Sequence, residues 1–144
     1  MRRGQWAEAR RLILTQEGIP DGLREQAGRY VDAVADPKLA PQVIAQMRAV
    51  DPKVAEQLDL IQPYIHLGQV DLVYELLFKS LDEDPLAWAK RWDLIHAWGP
   101  EGKALRVDPR FGELARRMGI VDYWKQYGFP DGCRAGEDTP VVCS

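Results

Sequence analysis

The chain has 144 residues and a net charge of −3, and hydrophobic and charged residues make up 46% and 28% of it. This composition is that of a globular domain, and the acidic balance argues against a protein that binds a nucleic-acid backbone. The sequence has no run of about 18 apolar residues, the length that a membrane-spanning helix needs. No apolar signal-peptide segment follows Met1. With two serines and no asparagine, serine-nucleophile catalysis and N-glycosylation are nearly excluded.

Hydrophobic periodicity, interrupted by Pro and Gly, predicts an all-α fold. The predicted helices are 5–17, 21–35, 38–49, 53–67, 70–82, 85–98, 109–118 and 120–127. Asp-Pro pairs mark four of the junctions, at Asp36, Asp51, Asp84 and Asp108. Only residues 99–108 are expected to form a long non-helical gap.

Two helical pairs repeat in register. The second helices carry a small-x3-large pattern that begins at Ala40 and again at Val73, 33 residues later. Pro52 and Pro85, which end these helices, are also 33 residues apart. A small residue lets two helices approach closely, and a proline cannot continue a helix. The pattern therefore predicts stacked helical hairpins.

This spacing resembles the tetratricopeptide repeat (TPR), which has a period of about 34 residues. The resemblance implies a TPR-like helical-hairpin solenoid that forms one domain. Its parts are a half repeat at 1–20, repeats at 21–52 and 53–85, a divergent helical cap at 86–130 and a C-terminal tail at 131–144. Because solenoids do not normally begin at half a unit, we expect the chain to be a fragment of a larger protein that continues upstream. The alternative is that the first helix is a native cap.

The predicted cap is rich in aromatic residues. One apolar face combines Phe111, Leu114, Ala115 and Met118, and the next short helix has a face made of Ile120, Tyr123, Trp124 and Tyr127. A terminal repeat must cover the last hydrophobic groove. The charges lie off these faces, whereas a nucleic-acid stacking platform needs interleaved basic residues. We therefore expect a lid over the solenoid.

A second, narrower pattern lies in the same segment. It consists of Asp108-Pro109-Arg110-Phe111, Arg117-Met118-Gly119, Asp122-Tyr123-Trp124 and Pro130-Asp131-x-Cys133. It resembles the end of TPR modules in bacterial multidomain regulators, either winged-helix activators of the cadaverine-operon type or TolB-like and adenylate-cyclase-associated proteins. The resemblance implies a non-catalytic protein-interaction or regulatory module in signalling or transcription. The sequence contains neither the DNA-binding nor the cyclase domain.

No motif in the sequence predicts catalysis. The two histidines, His66 and His96, have no partners at the spacing that a zinc site needs. The acidic run at 82–84 precedes a predicted helix and is interpreted as its N-terminal cap. Phosphate-binding loops, nucleophile elbows and HExxH motifs are missing from the sequence. The chain is thus predicted to be neither an enzyme nor a cofactor-binding protein.

A protein or peptide partner is expected to bind the concave face of the repeats, which in this family is lined by the first helix of each pair. By register, the exposed positions of these helices are Glu25, Arg29, Asp32, Leu58, Gln62, Ile65 and His66. One alternative is a small-molecule effector in an aromatic pocket around Trp88, Trp92 and Trp98. Another is a spacer or self-association domain. Direct contact with nucleic acid or membrane is not expected.

The two cysteines, Cys133 and Cys143, are ten residues apart across a polar loop, and we expect them to form a disulfide. Membrane-anchored regulators of the kind that the C-terminal segment resembles place such modules in the periplasm, where thiols oxidise. The alternative is a cytoplasmic protein with two free thiols.

Overall fold

The structure is a computed structural model and describes residues 3–49, 61–86 and 97–144. These residues form mostly helices, as the sequence predicts, and a single two-stranded sheet. The elements are α1 (Arg3–Thr15), α2 (Asp21–Ala35), α3 (Ala40–Arg48), α4 (Ile61–His66), α5 (Val70–Glu83), α6 (Lys103–Arg106), α7 (Arg110–Arg117), α8 (Ile120–Tyr127), β1 (Cys133–Arg134) and β2 (Val142–Cys143). Within the described ranges, no helix has the length and apolar character needed to cross a membrane.

The chain divides into two compact units, residues 1–63 and 64–144. The division falls inside α4. The observed bounds of α2, α5, α7 and α8 match the predicted helices to within one residue. The prediction of a non-helical gap at 99–108 is wrong at α6, and most of the predicted helices 53–67 and 85–98 lies outside the described residues.

In the first unit, α1 and α2 pack as a helical hairpin. Gly18, with a φ of +83°, lies in the connection, a conformation that favours glycine. Gly28 lets the helices approach closely, since a Cβ there would lie 3.2 Å from Leu14 Cδ2. Arg10 Nε also donates a hydrogen bond of 2.9 Å to Asp32 Oδ2. Val31 and Ala33 on α2 are buried as well.

The turns that follow the Asp-Pro pairs share one hydrogen bond. In each, the aspartate Oδ1 accepts the backbone N–H two residues later: Asp36 from Lys38 at 3.1 Å, Asp84 from Leu86 at 2.9 Å and Asp108 from Arg110 at 2.9 Å. The proline fixes the backbone between donor and acceptor. The fourth pair, at Asp51, lies outside the described residues.

In the second unit, α5 packs against α7, and the largest fully buried side chains among the described residues are Val73, Tyr74, Phe111 and Leu114. Leu114 and its neighbours Ala115 and Met118 confirm the predicted buried face of α7. The Tyr74 hydroxyl donates a 2.8 Å hydrogen bond to the Leu105 carbonyl, so its burial leaves no unsatisfied donor. Burial, reinforced by the Asp108 carboxylate, raises the pKa of the Tyr74 phenol.

Two arginines of α7 each bind an aspartate and an aromatic ring of α5. Arg110 lies 4.4 Å from the Tyr74 ring centroid and donates to Asp71 at 2.7 Å. Seven residues later, Arg117 lies 5.3 Å from the Phe78 ring centroid and pairs with Asp82. Because each guanidinium satisfies a carboxylate and covers a ring, the two contacts hold α5 and α7 together.

Of the three aspartates that pair with Arg110 and Arg117, Asp108 has the least exposed side chain. Both of its carboxylate oxygens accept hydrogen bonds from the Arg110 side chain, at 2.8 and 2.7 Å, and its side chain is only 18% exposed. The bond from Arg110 holds the pKa of the Asp108 carboxyl below its ordinary value. A carboxyl with a lowered pKa stabilises the folded state above its unfolded pKa, and this contribution disappears as the pH falls through the folded value.

We expect Asp108→Asn, which keeps the turn acceptor but removes the charge, to destabilise residues 64–144 by about 1 kcal/mol at pH 7. The difference from the wild type should begin to shrink as the pH falls below about 4, where the aspartate of the unfolded chain becomes protonated, and should vanish once the pH is below the lowered pKa of the folded carboxyl. Urea unfolding of both proteins at several pH values measures this difference in the free energy of unfolding. Asp36→Asn, in the equivalent turn to Lys38, is the matched control. A difference that stays constant down to pH 2 would contradict the proposed charge effect.

The C-terminal residues form a small hairpin. The turn at 130–133 is closed by a 2.9 Å bond from Cys133 N–H to the Pro130 carbonyl, and Gly132 has a φ of +78°. β1 and β2 then pair antiparallel with Cys133 opposite Cys143. The structure joins these two cysteines in a disulfide.

The buried face of α8 differs from the predicted one. Val121 and Trp124 are buried, whereas Tyr123 and Tyr127 are 60% and 67% exposed. Trp124 contacts Phe129 at a centroid distance of 6.2 Å, so the chain after α8 folds back beneath the helix. The prediction that both tyrosines lie in the buried face is therefore wrong.

Candidate partner-binding surfaces

The positions predicted for the concave face on α2 are exposed or half-buried, and they bear ion pairs. Arg29 and Glu25 are exposed and joined at 2.7 Å, one helical turn apart. Asp32 is half-buried and pairs with Arg10 of α1. Exposed pairs of this kind contribute little to stability, and their side chains can exchange partners at low cost.

The positions predicted on the next helix are only partly described. Leu58 lies outside the described residues. Gln62 and His66 on α4 are half-buried. Ile65 is only 7% exposed, so the prediction that it lies exposed is wrong. Its apolar side chain is in the interior, where a partner could not reach it.

Of the three tryptophans predicted to line an effector pocket, only Trp98 is described; Trp88 and Trp92 lie outside. The Trp98 ring packs edge-to-face against Phe111 and Trp124, at centroid distances of 5.9 and 6.1 Å. Arg106 lies over it at 5.5 Å. The described contacts of this indole are therefore those of a side chain that packs at the edge of the interior.

Among the residues that the structure describes, the two most exposed aromatic side chains lie on α8. Tyr123 and Tyr127, here called the tyrosine pair, have ring centroids 4.7 Å apart with planes tilted by 37°. Val121 and Trp124 of the same helix are buried. Elsewhere on α8, Lys125 Nζ lies 3.6 Å from Asp122 Oδ1, and both side chains are exposed. The pair is thus an exposed, largely apolar ridge.

A sequence signal for the tyrosine pair exists but is ambiguous. α8 carries apolar residues on more than one side, from Ile120 to Tyr127. When a surface helix has two overlapping apolar stripes, one stripe is buried against the protein and the other stays exposed to solvent. The phenol hydroxyls, which need a hydrogen-bond partner when buried, favour exposure of the tyrosines over exposure of Val121.

The described residues contain no cluster of three His, Cys, Asp or Glu side chains that could bind a metal ion. Comparisons with protein-family models, with curated proteins and with solved structures give no match to this chain.

Proposed function

We propose that this chain is a non-catalytic protein-binding module of a bacterial signalling or transcription regulator, built from TPR-like helical pairs. The repeat is supported by burial at positions 33 residues apart. Such buried positions are Gly28 and Ile61, Val31 and Tyr64, and Ala40 and Val73. The regulatory context, and a periplasmic location, rest on the resemblance of the C-terminal segment.

The proposal of a binding function rests on the exposed tyrosine pair. Tyrosine is enriched among the residues that dominate binding energy at protein interfaces. The two rings have few rotatable bonds, so fixing them in an interface costs little conformational entropy. An interface formed here would bury two rings that are now 60% and 67% exposed.

The geometry favours a peptide segment of a partner protein over other ligands. Small molecules bind in concave pockets that bury most of their surface, whereas the tyrosine pair stands out from the helix. A nucleic-acid stacking platform needs cations interleaved with the aromatic rings, whereas Lys125, the one cation of α8, lies two residues from either tyrosine and on another side of the helix. We therefore propose a segment that places an apolar or proline side chain on the two rings.

We expect peptides selected against the wild type from a displayed random library to bind Tyr123→Ser/Tyr127→Ser at least about 30-fold more weakly, since a hot-spot residue contributes about 2 kcal/mol. Dissociation constants of the purified peptides measure this. Val107→Ser, which alters another exposed apolar side chain (45%) of the same unit, is the control. Equal affinity for the double variant and the wild type would contradict the proposed surface.

The predicted strip on α2 is tested with the same peptides. Arg29→Glu reverses a charge that pairs with Glu25 at i,i+4, and Arg11→Glu reverses one that pairs with Glu8 at i,i+3. If the peptides lose affinity for Arg29→Glu alone and keep it for the tyrosine variant, the α2 strip is the binding surface. That result would overturn the assignment to α8.

A further inference from the structure

Residues 133–144, here called the strap, lie on α7. Their strands are only two residues long. Beyond the ladder, Ser144 N–H donates a 2.9 Å bond to the Gly132 carbonyl, and the Ser144 hydroxyl donates to the same oxygen. An isolated two-stranded hairpin is marginal in water. These hydrogen bonds alone therefore do not account for a single closed conformation.

The strap contacts α7 through backbone atoms. Val141 is 3% exposed, and a Cβ built on Gly112 would lie 2.9 Å from the Val141 carbonyl oxygen and 3.2 Å from its nitrogen. Only a glycine on α7 allows this approach. The strap therefore covers the Gly112 side of the helix, and Gly112 is accessible to another chain only when the strap is displaced.

We infer that the strap is a redox-sensitive cover: it is docked on α7 while Cys133 and Cys143 are bonded, and it opens when they are reduced. The disulfide closes a short loop and so restricts the conformations of the open strap. In the chain-entropy model, a loop of this length favours the closed form by roughly 100-fold. Once the bond is reduced, the short ladder and the Val141 contact must hold the strap alone.

Reduction proceeds by thiol–disulfide exchange with a dithiol, either a small molecule or a protein with a Cys-x-x-Cys pair. Cys133 is half-buried and Cys143 only 9% exposed, so the reductant thiolate attacks Cys133 Sγ. The S–S bond breaks and Cys143 leaves as a thiolate that takes up a proton. The second reductant thiol then displaces Cys133 and completes its own disulfide. Two electrons pass to the protein.

The test compares the hydrogen-exchange rates of single backbone amides of the full chain between the oxidised and the dithiothreitol-reduced state. This inference stands independently of peptide binding, because no partner enters the experiment. Intact mass without reductant first identifies the oxidised form. Hydrogen exchange by NMR at Ser144 should then speed up by about 100-fold on reduction, and the Val141 methyl signals should move toward random-coil positions. Amides of α5 should keep their protection.

Cys133→Ser/Cys143→Ser should reproduce the reduced state without any reductant, and reoxidation of the wild type should restore slow exchange. Three results would overturn the inference. The first is free thiols after treatment with oxidised glutathione. The second is Ser144 exchange that changes less than threefold. The third is loss of protection throughout 64–144, which would make the disulfide a global support of the unit and not the lock of a strap.

Discussion

Replacing Phe111 with alanine should lower the free energy of unfolding of residues 64–144 by about 3–5 kcal/mol. The ring is 1% exposed and lies on the buried face of α7 with Leu114. Its removal leaves a cavity in a closely packed interior and also deletes the edge-to-face contact with Trp98 at 5.9 Å. A domain of this size has roughly 5–15 kcal/mol in total, so the loss is a large fraction of its stability.

Urea unfolding gives the magnitude, and hydrogen exchange by mass spectrometry assigns the loss to residues 64–144 or 1–63. Tyr127→Ala removes an aromatic ring of similar size that is 67% exposed, and it should change stability by no more than about 0.5 kcal/mol. If Phe111→Ala were as mild as Tyr127→Ala, the interior of the second unit would not be built around this ring.

The sequence predicts helices well where local chemistry decides. The Asp-Pro turns before Lys38 and before Arg110 use only atoms within three residues, and the helices that follow were predicted to within about two residues. α6 was missed because four residues are too few to show helical periodicity. Its position depends on distant groups, among them the Tyr74 hydroxyl that binds the Leu105 carbonyl.

The candidate site was predicted less well, because it depends on which apolar stripe is buried. Periodicity finds both stripes of α8, and packing with Trp98 and Phe129 buries the Trp124 side. The same limit applies to Ile65, which repeat register placed on an exposed face and which lies in the interior. Register gives the phase of a helix within a repeat, whereas the neighbouring elements determine which residues are buried.

Gly112→Ala should destabilise the oxidised protein by up to about 2 kcal/mol, although alanine is the better helix former. In the interior of an exposed helix this change stabilises by about 1 kcal/mol. At Gly112 the new methyl would lie 2.9 Å from the Val141 oxygen and 3.3 Å from Pro140 Cδ. Overpacking against backbone costs about 1–3 kcal/mol, so the clash outweighs the helix propensity.

Gly22→Ala on α2 is the matched control, since a Cβ there meets no atom within 4 Å and the change should stabilise by up to about 1 kcal/mol. The sign at Gly112 should also depend on the strap. In a Cys133→Ser/Cys143→Ser background the open strap no longer opposes the methyl, and Gly112→Ala should become neutral or stabilising. Thermal unfolding of the four variants measures both signs. A stabilising Gly112→Ala in the oxidised protein would show that Val141 does not press on α7.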